Sequence, residues 1–218
     1  VLPTAQGFAL RRHVRLRLAE DGSISADGKV IALGQEGANL RCACEAANMP
    51  KDKEELATRQ LSDGFRSAIV RETKTEDDLL TGQCTFSFGC DQKRYIQPLQ
   101  GGRTVVKLDV LSRRALPAFP EKVRHRPIEL PPLELADEIT LVLPDGQTAE
   151  ELPATVKLQS PYGDYETTCT TEQQTVVLRR RLSLNKIEVP VADYEKLKKF
   201  LADIARADRS SVLLKSSL

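Results

Sequence analysis

The strongest constraint on the fold is a two-residue alternation running through residues 174–184. Val176, Leu178, Arg180, Leu182 and Leu184 fall on one side, with Thr175, Val177, Arg179, Arg181 and Ser183 on the other. That is the period of a β-strand with one face in a core. Pro190 has no N–H to give to a neighbouring strand and stops the pairing. Asp193 is placed to cap a helix, its carboxylate accepting from the free amides of the first turn. Tyr194, Leu197, Leu201 and Ile204 then recur at helical spacing, which predicts a helix over 193–207. Glu195, Lys196, Lys198, Lys199, Asp203 and Arg206 make its other face, expected in water. Residues 211–215 close the unit as a short apolar strand.

Similar alternation recurs upstream. Residues 8–18 place Leu10, Val14, Leu16 and Leu18 on one face and Arg11, His13, Arg15 and Arg17 on the other. Asp21-Gly22 and Asp27-Gly28 read as turns. Residues 40–46 are a second strand candidate, with Leu40, Cys42 and Cys44 in phase and Pro50 ending it. Asp52 can cap a helix through Leu56, Arg59, Gln60 and Leu61, stopped at Gly64. A short strand over 69–73 leads to a polar turn at Glu76-Asp77-Asp78. The longest alternation of this half, over 80–90, aligns Leu80, Gly82, Cys84, Phe86, Phe88 and Cys90. Gln100-Gly101-Gly102 turns the chain into a strand over 104–111. Farther on, a strand over 139–143 ends at Pro144-Asp145-Gly146, and 155–159 with 165–171 form a hairpin about Pro161-Tyr162-Gly163-Asp164.

Between these runs the periodicity fails, and prolines gather at 117, 120, 127, 131 and 132. The expected organisation is a first β-rich lobe over 1–113, a Pro/Arg-rich connector over 114–132, and a second β-rich lobe over 133–218 carrying the C-terminal helix and strand. The fold class is mostly β (α+β), with antiparallel, sandwich-like lobes and two short helices.

Charge narrows the partners. Lys and Arg number 32 against 31 Asp and Glu, and that balance argues against nucleic acid, whose phosphates call for a basic excess. No apolar run approaches the roughly 18 residues of a membrane span. A 40 % hydrophobic content suffices for real cores. The chain opens Val1-Leu2-Pro3, shows no signal peptide, and has Met49 as its only methionine, so it is expected to be a piece of a longer chain.

Chemistry-bearing residues are few. Five cysteines cannot all pair within one chain. Cys42, Cys44, Cys84 and Cys90 could in principle hold a metal, but the spacing is not that of thiolate knuckles. Each is in phase with the apolar side of an expected strand, where a free cysteine packs as a small hydrophobe. Core packing is therefore favoured over a disulfide or a metal. Cys90, His125 and Asp137 occur in the order nucleophile, base, orienting acid. The cysteine, however, ends a strand rather than beginning a helix whose dipole would activate it, and His125 sits in the connector. His13 among its arginines and Arg179-Arg180-Arg181 read as solvated strand faces more readily than as anion clamps. With no Trp, only Tyr162 and Tyr165 could offer a sugar platform. No catalytic, cofactor-binding or metal-binding residue is assigned.

The second half carries a recognisable series: Arg126-Pro127-Ile128, the run from Ile139 to Gly146, Leu152-Pro153, Arg179-Arg180-Arg181, Val189-Pro190 followed by Tyr194, Leu197 and Phe200, and Val212-Leu213-Leu214-Lys215. It resembles the C-terminal region of bacterial multidomain proteins that join an N-terminal β-sandwich to a transglutaminase-like cysteine core and end in a β-rich domain of unknown function. The segment after that core resembles Val14 to Gly22, so the likeness spans about residues 8 to 216. The family's catalytic core has no counterpart in this chain. The resemblance implies a non-catalytic accessory region of an exported or periplasmic protein of peptidase or amide-transfer type, partnered by the core of its own parent chain. The other reading is a free-standing binding module for a glycan, a peptide or a protein.

Overall fold

The computed structural model describes residues 9–62, 65, 67–96, 102–111, 119, 121, 123–209 and 211–216. The first half forms two antiparallel hairpins with two helices between them. These are β1 (Ala9–Leu18) with β2 (Ile24–Ala32), helices α1 (Gln35–Ala46) and α2 (Pro50–Thr58), and β3 (Ile69–Asp78) with β4 (Gln83–Gln92). The second half begins with the short strands β5 (Arg103–Lys107) and β6 (Ile128–Leu130). It continues through β7 (Leu133–Val142), β8 (Gln147–Glu151), β9 (Val156–Ser160), β10 (Gly163–Glu172), β11 (Thr175–Leu184) and β12 (Ile187–Val189). A single 3-10 turn, Val191–Asp193, leads into α3 (Tyr194–Ala207), and β13 (Ser211–Ser216) follows.

Eight strands make one sheet in the order β3-β4-β2-β1-β7-β11-β10-β9. Neighbours are antiparallel except at its centre, where β1 and β7 run parallel. Two smaller sheets, β5-β13-β8 and β12-β6, and an isolated antiparallel bridge between Leu61 and Leu111 add to the β-structure. The protein is thus mostly β with antiparallel-rich sheets, as the alternation predicts.

Strand pairing crosses the expected lobe boundary twice. β1 pairs with β7 in the large sheet, and β5 pairs with β13 in the small one. The 114–132 segment therefore does not separate two independently sheeted lobes. Residues 112–118, 120 and 122 of it lie outside the described residues. Its end is ordered into β6, which pairs with β12. Loss of periodicity does not by itself separate lobes, because open strand edges on either side of such a segment can still find each other.

Three local expectations also give way. Residues 40–46 are helical, making α1 a third helix. Ala, Leu, Arg and Glu there are good helix formers, and a short apolar alternation does not by itself distinguish the two periods. Asp27-Gly28 is no turn but the middle of β2, and Gly28 faces Phe88 across the ladder. A Cβ on Gly28 would lie 2.2 Å from the Phe88 ring, so the missing side chain makes room for that ring. Glu76-Asp77-Asp78 continues β3, and the turn comes one step later, where the Asp78 carboxylate accepts from the Leu80 and Thr81 amides at 2.9 and 3.3 Å.

Helix starts differ in detail as well. Pro50 opens α2 rather than ending a strand, and Asp52 reaches back to accept from the Met49 N–H at 3.1 Å. Asp193 stands at the N-cap of α3 without capping through its side chain; its carboxylate accepts from Lys196 Nζ at 2.7 Å instead. The stop expected at Gly64 and the Gln100-Gly101 part of the next turn lie outside the described residues.

One hydrophobic core joins both halves. Leu10, Val14 and Leu16 of β1, Phe86 of β4, Leu141 of β7, Leu182 of β11, Leu197 and Ile204 of α3, and Val212 and Leu214 of β13 all belong to it. Helix α3 buries Tyr194, Leu197, Phe200, Leu201 and Ile204, the expected stripe with Phe200 added.

Candidate functional site

The parallel contact between β1 and β7 organises two different surfaces, because successive residues of each strand point to opposite faces. On the core side, Arg12 of β1, Asp137 of β7 and Arg180 of β11 stand in register across three adjacent strands. Arg12 donates to Asp137 through two nitrogens, Nε to Oδ1 at 2.7 Å and Nη2 to Oδ2 at 2.8 Å. Arg180 donates to the same carboxylate at 3.1 Å and to Asp208 through Nε and Nη2 at 2.6 and 2.8 Å. Tyr165 of β10 donates its hydroxyl to Asp208 at 2.7 Å, and the Arg180 guanidinium lies 5.6 Å from the centre of the Tyr165 ring.

This network is out of water: the Arg12 side chain is 2 % exposed, Asp137 4 % and Asp208 8 %. Two cations and two carboxylates offset one another, the condition under which charges can be buried. Burial pushes the Tyr165 hydroxyl far above the ordinary phenol range, and the Asp208 charge adds to it. Burial opposes the charge of Arg180, but its bonds to Asp208 and the nearby Asp137 outweigh that and raise its pKa. Asp208 follows the last turn of α3, where its N–H donates to the Ile204 carbonyl. A carboxylate there opposes the helix dipole, and Arg180 compensates. A cavity of about 40 Å³ lies against the network, bordered by Leu108, Leu111 and Ile139, room for one or two waters.

On the outer side the same strands carry alternating columns of charge. Arg11 and His13 stand on β1, Glu134 and Glu138 on β7, Arg179 and Arg181 on β11, Asp164 and Glu166 on β10, and Lys157 on β9. Arg179 pairs with Glu138 at 2.9 Å, Lys157 with Glu166 at 2.8 Å, and His13 Nδ1 lies 3.8 Å from Glu138. An open groove of about 840 Å³ runs along this face. Ala136 sits at its centre with Arg11 opposite on one neighbouring strand and Arg181 opposite on the other. Neither arginine has an ion-pair partner among the described residues, and both are exposed. The short Ala136 side chain leaves a gap between two guanidinium groups whose forked donors suit a carboxylate.

The residues weighed as a Cys-His-Asp set are not gathered. Following the register from Cys90 across Ala26 and Leu16 leads to Leu141, not Asp137. Three strand spacings, roughly 14 Å of sheet, separate β4 from β7. His125 is exposed in an irregular segment before β6. Asp137 is held by Arg12 and Arg180, and burial pushes the Cys90 thiol up to about 11. The cysteines divide: Cys84 and Cys90 are buried, Cys44 and Cys169 half-buried, and Cys42 exposed on α1 rather than packed inside. His13 and Arg179 are outward-facing, as expected, while Arg180 turns inward. Arg12 is the residue that sequence reading passed over. Its position in phase with Leu10 and Val14 was the available signal.

Residues 105–214 match the family model of DUF3858, described as a domain of unknown function with a solved structure. The match begins in β5 and ends in its partner β13, enclosing β7, β11, β10, β9 and α3. No curated protein matches the chain. With half its length so matched, this chain belongs to the DUF3858 family.

Proposed function

We propose that this chain is a non-catalytic β-rich accessory region of a larger transglutaminase-like protein of peptidase or amide-transfer type, exported or periplasmic, and that it docks on the core of that protein. The docking face is the charged outer side of β1, β7 and β11. The observation that carries this reading is the pair Arg11 and Arg181 facing each other across Ala136, without a carboxylate partner among the described residues, in an open groove. Exposed arginines whose cross-strand neighbour is an alanine are positioned to take carboxylates from outside. The family resemblance supplies the partner: an acidic segment of the transglutaminase-like core.

The test begins with the reading frame around Val1. Its transglutaminase-like core, expressed separately, is titrated against this chain by calorimetry. Binding that weakens at least tenfold in Arg11→Glu/Arg181→Glu, and falls with salt, is the expected result. Binding indifferent to both changes would remove the outer face from the proposal. A reading frame without such a core would favour the free-standing binding module.

A further inference from the structure

Beside the gap between Arg11 and Arg181, the outer face of the large sheet carries two carboxylates as exposed as the arginines themselves. Glu134 lies two residues before Ala136 on β7, and its neighbour on β11 is Ser183. Asp164 of β10 stands on the far side of Ser183. Two adjacent rows therefore cross the sheet, Arg11, Ala136 and Arg181 in one and Glu134, Ser183 and Asp164 in the next. Each row sets a small side chain between two like charges, and the acidic row is displaced by one strand from the basic one. Neither the Glu134 nor the Asp164 side chain has an ion-pair or hydrogen-bond partner among the described residues. All six residues border the same open groove of about 840 Å³. Same-face rows are about 6.8 Å apart and neighbouring strands about 4.8 Å, so the gaps over Ala136 and Ser183 are roughly 8 Å apart.

We infer that the segment taken up by this face is an extended peptide carrying an acidic side chain and a lysine two residues apart, the carboxylate received over Ala136 and the ammonium over Ser183. The inference rests on the reading of the outer face as the docking face, and it narrows the partner. Side chains at i and i+2 of an extended chain leave one face about 6.8 Å apart, close to the spacing of the two gaps and within reach of a flexible lysine stem. The three rotatable donors of an ammonium suit two carboxylates approaching from opposite sides, as the forked arginines suit a single carboxylate between them. A uniformly acidic segment fits less well. From Ala136 the next outward residue of β7 is a glutamate in either direction, Glu134 or Glu138. Glu138 is neutralised by Arg179 at 2.9 Å, whereas Glu134 and Asp164 are not. A second carboxylate over Ser183 would meet both of them and be repelled, and a lysine there would be held.

The experiment uses the whole chain in two arms. In the first, its backbone amides are followed by NMR during titration with end-blocked peptides: Thr-Asp-Thr-Lys-Thr, the reversed Thr-Lys-Thr-Asp-Thr, and the all-acidic Thr-Asp-Thr-Asp-Thr. One of the two mixed peptides should bind at least about tenfold more tightly than the all-acidic one and move the Ala136 and Ser183 signals together. Glu134→Gln/Asp164→Asn should abolish that preference without shifting the urea midpoint of the chain. An all-acidic peptide that binds as well as both mixed ones would overturn the inference. In the second arm, the transglutaminase-like core is titrated against Glu134→Gln/Asp164→Asn. Its affinity should fall at least about fivefold. Unchanged or tighter binding would mean a uniformly acidic partner, overturning the inference while leaving the docking face in place. Core binding indifferent to Arg11 and Arg181 would instead overturn the docking face, and the peptide preference, read without the core, is decided separately.

Discussion

Arg12 and Asp137 are register partners on the two parallel strands at the middle of the large sheet, and their side chains meet in a two-pronged ion pair of 2.7 and 2.8 Å almost wholly shielded from water. β1 closes the block β3-β4-β2-β1, and β7 opens the block β7-β11-β10-β9. The pair therefore spans the one junction at which the first and second halves of the chain share the large sheet. Arg180 extends it to β11, and Asp208 ties in the end of α3.

Removing one member of such a pair leaves a charge with too few partners. Arg12→Met should cost about 3–5 kcal/mol in urea unfolding, far more than an average surface change. Combining it with Asp137→Leu should cost clearly less than the two single losses summed, since Arg180 keeps Asp208. A loss under about 1 kcal/mol for Arg12→Met would show that the junction rests on strand pairing and packing alone.

Stability should decline on the alkaline side. Burial pushes the Cys90 thiol up to about 11 and lifts the Tyr165 hydroxyl well above its ordinary range. An acid whose pKa is higher in the folded state gives up its proton more easily when unfolded. Its contribution is whole below the ordinary thiol value and is lost as pH climbs toward the folded one. For Cys90 alone the change is on the order of 2 kcal/mol between about pH 8 and 12. Urea midpoints measured across that range should fall; Cys90→Ala should flatten the fall, and an equal slope in wild type and variant would exclude Cys90 as a source.

The two faces of α3 should respond differently. Leu201 is buried in the core, so Leu201→Ala should cost roughly 2–5 kcal/mol. Lys198 pairs with Glu195 at 3.3 Å and lies 5.1 Å from the Tyr194 ring centre, contacts that are partly solvated. Lys198→Ala should cost no more than about 1 kcal/mol. Two denaturation curves decide it, and equal losses would mean that the charged face also has a packing partner.

Thiol labelling should follow exposure. With a disulfide reagent at pH 8, Cys42 should react first, and Cys84 and Cys90 last, by a factor of at least a hundred. Denaturant should bring all five to similar rates. Rapid labelling of Cys90 in the folded protein would contradict its place in the core.

Alternation was enough to mark β1, β4 and β11, because a strand with one face in a core must repeat every two residues, while the end of β7 and most of β10 were marked with the turns beside them. The stripe of α3 was equally legible, since Tyr194, Leu197, Leu201 and Ile204 mark a buried helical face wherever the helix docks. Local composition misled at Asp27-Gly28, whose glycine serves the Phe88 ring on the next strand rather than a turn, and at residues 40–46, where a helix and a strand fit the same few apolar positions. The charged network was only half visible. Arg12 and Arg180 each interrupt an apolar column, which flags a buried cation, but the identity of its partner depends on which strand lies alongside. Asp137 and Asp208 are 125 and 28 residues from the arginines they neutralise. Sequence period determined which residues face inward; only the folded topology, by laying β1 beside β7 and the end of α3 beside β11, decided which inward charges meet, because ion pairing is a matter of distance in space and leaves no period in the chain.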